Sequence, residues 1–447
     1  MISLKPIFKH RLLSGTLLLT LTGICSKIIG FYYKIFLSRT IGAEGLGIYQ
    51  LIFPVFALTI SICAAGIQTA ISRYCAQCET IRQARMYLLV GLTASLLLSF
   101  VWVGILWFQA PLIGVRLLED ARTVPLLRIM SIALPFACIH ACINGYYYGK
   151  TKTSVPAISQ MLEQFVRVVG VWLVADILTQ QGQPVTPALA VWGILFGEFA
   201  SALYSITAVC FLSETKKVAQ SFSVQPTSIR FVKIARDLCF MAIPLTCNRI
   251  LLSICQSVEA LLIPVKLRDF GYTNGDALSV YGILTGMVFS TIMFPCVLSN
   301  SLSVMLLPAI SEASSHNQQD FIKKAVRRIT QSCVILGLLC TLGFLLCGNW
   351  IGIHLFHNAL AGVYVRTLCW ICPFLFLSST LCSVLHGLGK PTITMLINLS
   401  GALLRIGFIW IGIPLIGLTA YLWGMLASQI LVSTLSFVCL RHATDKQ

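Results

Sequence analysis

Charge is what this sequence has least of. Only 11% of its residues are Asp, Glu, Lys or Arg, against roughly 25% in a soluble domain. Acidic residues are the scarcest, 15 against 32 Lys and Arg. There are seven histidines, and no Walker A motif, zinc-type His pair, Ser-His-Asp set or acidic dyad stands out. Neither an ATP-driven pump nor an enzyme is therefore expected. Segments of about ten residues with alternating polarity are missing, which argues against a β-barrel. Cysteine is plentiful, at 18, but Cys75-x-x-Cys78 and Cys369-x-x-Cys372 have neither a second matching pair nor a nearby His pair. Within apolar helices cysteine is usually a small packing residue, so no metal is expected.

What is present is hydrocarbon. Apolar residues make up 57% of the chain, the mean hydropathy is +0.87, and the apolar residues come in long runs. Met86 to Ala110 and Gln331 to Trp350 contain no charge at all, and each is long enough to cross about 30 Å of hydrocarbon as a helix. The first run, Leu12 to Leu37, is too long for a signal peptide and contains Lys27 and Lys34, so it reads as a membrane helix. About twelve spans follow: 12–38, 46–75, 86–110, 124–148, 154–178, 187–212, 238–265, 278–309, 329–347, 364–388, 391–411 and 414–440. Pro54, Pro295 and Pro308 are candidate bend points, and 349–361 is a candidate surface segment. With the N-terminus inside, 19 of the Lys and Arg residues fall in inner segments and six in outer ones. That asymmetry predicts both termini on the cytoplasmic side. It also accounts for the net charge of +17 without a nucleic-acid partner.

The longest polar connection, Ser213 to Asp237, divides the spans six and six. The expected organisation is an N-terminal six-helix bundle over 1–215, a cytoplasmic linker over 216–237 and a C-terminal six-helix bundle over 238–447. Arg128, Pro135, Gly149 and Arg167 recur at one offset as Arg366, Pro373, Gly387 and Arg405. Leu46-x-x-Tyr49 echoes Leu278-x-x-Tyr281. Six helices per half make this a parallel repeat, of the kind that builds transporters with a site between halves.

Counting depth at about 1.5 Å per residue places six charges near mid-membrane: Lys27, Glu163, Arg167, Glu198, Arg249 and Arg405. Each costs about 2.5–3.5 kcal/mol there if it faces lipid, so each should face a cavity or a partner. Lys27 and Lys34 share a helix face with Gly23 and Gly30. Arg249 has Gln256 seven residues on. Lys27, Lys34, Arg249 and Gln256 are the candidate anion-binding groups, with Arg73 near the inner boundary as a possible acceptor of a head group. Glu163 and Arg167 are spaced to pair along one helix. Arg405 has Gly401 where Glu163 stands in the first half, and so lacks that partner. Glu198 and Glu259 are candidates for coupling to Na+ or H+, or for ion pairs. His140, His354, His357 and His386 read as isolated.

Two stretches carry a resemblance. One is Ser26-Lys-Ile-Ile-Gly-Phe31, continuing as Leu37-Ser-Arg-Thr-Ile-Gly-Ala-Glu-Gly-Leu-Gly-Ile-Tyr-Gln50 and Ala65-Gly-Ile-x-x-Ala-Ile-Ser-Arg73. The other is Tyr281-Gly-Ile-Leu-Thr-Gly-Met287 with Pro295 and Leu307-Pro-Ala-Ile-Ser-Glu-Ala313. Together they resemble the stage V sporulation protein B family of polysaccharide-type flippases, in the superfamily of lipid II flippases, O-antigen flippases and multidrug-and-toxin extruders. The resemblance implies an all-α, V-shaped bundle with alternating access in the bacterial cell membrane. It implies a cargo of undecaprenyl-pyrophosphate-linked saccharide, such as a peptidoglycan or polysaccharide precursor, and membrane lipids as neighbours. Lys27 resembles one of the basic cavity residues of lipid II flippases, whereas Tyr33 stands where those often have an Arg. Many relatives have fourteen helices, against twelve read here. A cation-coupled multidrug or metabolite exporter of the same fold is the alternative, with Glu198 as its key group. A non-transporting scaffold in envelope or spore-wall assembly ranks last, since it has no use for mid-membrane charge. No cofactor is expected beyond a coupling ion. The oligomeric state is left open, and a monomer suffices for the mechanism.

Overall fold

The computed structural model describes residues 6–78, 80–212, 228–297 and 319–445. Among them the regular structure is all helical. Twelve long helices follow in order. The first six are α1 (Pro6–Thr40), α2 (Gly42–Gln77), α3 (Ile81–Leu117), α4 (Thr123–Gly149), α5 (Ser154–Gln180) and α6 (Ala188–Phe211). The second six are α7 (Ser228–Asp269), α8 (Asn274–Met293), α9 (Gln319–Trp350), α10 (Ala359–Gly387), α11 (Pro391–Ile416) and α12 (Leu418–Asp445). Ten of these are long and apolar enough to cross a membrane by length and composition. The other two, α1 and α5, carry Lys27 with Lys34 and Glu163 with Arg167.

Local chemistry sets the helix ends. Thr80, Thr273 and Asn358 accept hydrogen bonds from the backbone N–H groups of Gln83, Asp276 and Ala361, satisfying donors that the first helical turn leaves open. Gly42 turns the chain from α1 into α2 with φ of 71°, a conformation that L side chains avoid. In α8 the helix stops at Met293 and Pro295 follows in a turn, as a proline without an N–H requires. α2 instead runs straight through Pro54. The expected surface segment at 349–361 is mostly helical: α9 continues to Trp350, and one wide turn (Ile351–Leu355) leads to α10. The second half of the eighth expected span, with Pro308 and the stretch Leu307 to Ala313, lies outside the described residues.

Packing divides the chain into two compact units: Met1–Gly30 with Leu51–Ile254, and Phe31–Gln50 with Cys255–Gln447. This division cuts across the one expected from chain order, because α1, α2 and α7 each contribute to both units. The reasons are visible in each core. In the first unit Ile67, Ile71, Leu88, Ile143, Tyr146 and Leu238 belong to one buried cluster, together with Ile234 and Ala242 of α7. Ile234, Leu238 and Ala242 follow one another at intervals of four along α7, on one helix face. α7 therefore starts at Ser228, ten residues before the expected start, and takes over the C-terminal part of the expected 216–237 linker; 213–227 lies outside the described residues. In the second unit the start of α2 packs on α8 without side chains in between. A Cβ on Gly47 would strike the carbonyl of Leu278, and one on Gly282 would strike the carbonyl of Ala43. The two motifs that carry the family resemblance thus meet backbone to backbone inside one unit. A second cluster there joins Leu381, Val384, Leu385, Ile397, Val432 and Leu440.

Candidate functional site

In the first unit α5 is an apolar helix interrupted by Glu163 and Arg167. Four residues apart, they sit one above the other, and Arg167 Nη2 bonds Glu163 Oε1. Both side chains are largely buried, at 13% and 14% exposed, so the pairing removes most of the cost of placing either charge in an apolar surrounding. α6 faces them closely at Gly197, where a Cβ would press on the carbonyl of Glu163. The next residue, Glu198, is only 6% exposed.

Glu198 is not a lone acid. His140 of α4 brings Nδ1 to 2.9 Å from Glu198 Oε2. This corrects the reading of His140 as isolated. The two form an ion pair when His140 is protonated, but neither atom completes a hydrogen bond. One turn along α4, the buried Oδ1 of Asn144 also has no hydrogen-bond partner. The ligand atoms of His140, Glu163 and Glu198 all lie within 4.8 Å of one another.

These groups border a cavity of about 430 Å³ lined by Gln68, Ser61, Glu163, Arg167, Glu198 and Arg249, among others. Its wall on α2 is the segment Ser61–Ala65, where the helix widens to i→i+5 hydrogen bonding. Ser61 Oγ stands 3.1 Å from Ser253 Oγ of α7, one turn beyond Arg249. Arg249 is exposed, lines the cavity and has no ion pair among the described residues.

The other sequence candidates separate by environment. Lys27 is exposed on the part of α1 in the first unit, and Lys34 is half-buried on the part in the second. Neither has an ion pair among the described residues. Their shared helix face does not bring them into one compact unit. Arg73 and Gln256 are exposed. Tyr33 is buried, at 5%.

In the second unit Arg405 does have an acidic partner, from another helix. Its Nε donates to Glu259 Oε2 at 3.0 Å and to Oε1 at 3.2 Å. Tyr421 donates its hydroxyl to Glu259 Oε1 at 2.8 Å. Lys266, on the same helix as Glu259, bonds Asp269 at 2.7 Å and lies 5.0 Å over the Trp410 ring. The duplicated arginines, Arg167 and Arg405, are each neutralised inside their own unit, one by its own helix and one by α7. A larger hollow of about 720 Å³ in this unit is lined by Trp370, Phe374, Trp423 and Leu426, with Arg366 as its charged group. That lining suits hydrocarbon more than a polar cargo.

His140 and Tyr421 were not singled out by sequence reasoning. The available signal was a polar pair, His140 and Asn144, one turn apart in an otherwise apolar run.

The model for the family described as polysaccharide biosynthesis protein matches residues 12–314. The chain belongs to the polysaccharide biosynthesis protein family. The family described as MatE also matches residues 270–411. Among curated relatives, stage V sporulation protein B of Bacillus subtilis is 27% identical, over 96% of this chain and 83% of its own length. The lipid II flippase MurJ of the same organism is 21% identical, over 91% of this chain and 78% of its own. Among solved structures, an inward-facing multidrug resistance MATE transporter of the MOP superfamily superposes with a TM-score of 0.72 at 15% identity, over 94% of this chain and 95% of its own. A MOP superfamily transporter from Pyrococcus furiosus, whose binding pocket has reversed polarity, superposes at 0.64 with 15% identity, over 98% and 96%. This family member is a multi-pass membrane protein with the two-unit helical fold of those transporters.

Proposed function

We propose that the chain moves an anionic lipid-linked saccharide, of the undecaprenyl-pyrophosphate class, across the bacterial cell membrane by alternating access, with both termini cytoplasmic. One observation carries this reading. Four bases lie near mid-span, and they fall into two kinds. Arg167 and Arg405 are bound to Glu163 and Glu259. Lys27 and Arg249 have no carboxylate partner among the described residues. A base kept near mid-membrane without an internal acid is costly, and an anionic cargo supplies the missing charge. A pyrophosphate cannot cross hydrocarbon unaided, and cationic donors replace part of its hydration. The name of one curated relative, the lipid II flippase MurJ, supports the same cargo class.

Binding tests it directly. Purified protein in nanodiscs should bind undecaprenyl pyrophosphate in preference to the uncharged undecaprenol. Arg249→Gln and Lys27→Gln should each weaken that binding about tenfold or more, the scale of one charge-assisted hydrogen bond. Equal affinity for the charged and neutral lipids would defeat the proposal.

A cation-coupled exporter of the same fold is the second reading. It is favoured by one observation, the buried Glu198 beside His140. Transport of organic cations driven by Na+ or H+, and abolished by Glu198→Gln, would select it.

A further inference from the structure

We propose that His140, Glu163 and Glu198 form a divalent-cation site inside the first unit, suited to Mn2+ or Zn2+. One imidazole and two carboxylates are a donor set used by such ions. They come from three different helices, α4, α5 and α6, and their ligand atoms already lie within 4.8 Å of one another. Nδ1 of His140 and Oε2 of Glu198 are 2.9 Å apart. Two ligands held about 2.0–2.2 Å from one metal stand roughly 3 Å from each other, so this edge already has nearly the required length.

The second observation is the state of those two atoms. Glu198 is 94% buried by its 6% exposure, and a buried carboxylate oxygen without a hydrogen bond is expensive. The same holds for the buried Nδ1 facing it. An imidazolium–carboxylate pair would align its N–H on the oxygen. Both atoms are left without a completed hydrogen bond and face each other at close range, and a cation bound by both would satisfy them together.

The surrounding charge permits it. Arg167 holds Glu163 Oε1, and a carboxylate has a second oxygen to offer. The two glutamates exceed the one buried guanidinium by one negative charge. Arg249 lines the same cavity and opposes a cation, but it is not one of the three residues whose ligand atoms converge.

Mn2+ is the probe of choice, because 18 cysteines compete for Zn2+ and bind the harder ion poorly. Purified full-length protein should remove one Mn2+ per chain from the free six-line electron paramagnetic resonance signal. The bound ion should show nitrogen hyperfine coupling from an imidazole. His140→Asn and Glu198→Gln should each weaken uptake at least tenfold, since even outer partners of a metal ligand are worth 10–100-fold. Mn2+ should also raise the melting temperature of the wild type and leave that of the variants unmoved, by mass action. No uptake by the wild type, bound Mn2+ without nitrogen coupling, or unchanged uptake in both folded variants would each overturn the site. None of these readouts depends on the transported cargo.

Discussion

At the scale of single residues, partnership separates charges held by an internal carboxylate from charges without one among the described residues. Glu259 accepts from both Arg405 and Tyr421, and both ends of the ion pair are largely buried, at 17% and 12% exposed. Removing one partner strands the other, a loss of roughly 3–5 kcal/mol. Glu259→Gln should therefore lower the melting temperature of the purified protein, and the paired change Glu259→Leu with Arg405→Met should recover much of it. A single variant as stable as wild type would show that the pair contributes nothing. Arg249→Gln should leave the melting temperature unmoved, because no ion pair is lost with it. The sequence allowed the bond between Glu163 and Arg167 to be read, because four residues on a helix are neighbours by geometry. It did not allow His140 to be matched to Glu198, or Arg405 to Glu259. Those partners are 58 and 146 positions apart, and only packing decides which distant helices meet.

At the scale of elements, hydropathy was enough to find the helices, since each must bury its backbone polar groups within itself. It was not enough to find their ends. α7 begins before the apolar run does, because Ile234 and Leu238 place one stripe of a basic segment into the core. The close approach of α2 to α8 rests on two glycines. Gly282→Ala would push a methyl group into the backbone of Ala43, which cannot rotate away as a side chain would. Overpacking of this kind costs about 1–3 kcal/mol or more. Gly23→Ala, where a Cβ has open space, should be neutral. Thermal unfolding of the two variants in parallel gives the comparison, and equal melting temperatures would mean that the contact yields easily. The wide turn at Ser61–Ala65 was not read from the sequence, since the segment itself holds neither proline nor glycine.

At the scale of the molecule, the internal echo pointed to two halves, and packing forms two units. They differ in membership because α1, α2 and α7 are each shared between the units. A linear reading assigns each helix whole to one half, so this sharing was invisible to it. The proposed cargo class rests on the family likeness and not on composition. The central claim is that the unpaired bases serve an anionic lipid. The most direct measurement reconstitutes the protein in liposomes with a fluorescent undecaprenyl-pyrophosphate-linked sugar and follows its appearance at the opposite leaflet. The account predicts translocation that requires the protein, falls about tenfold or more in Lys27→Gln and Arg249→Gln, and leaves an uncharged lipid analogue unmoved. Translocation no faster than in protein-free liposomes, or equally fast in both neutralised variants, would contradict it.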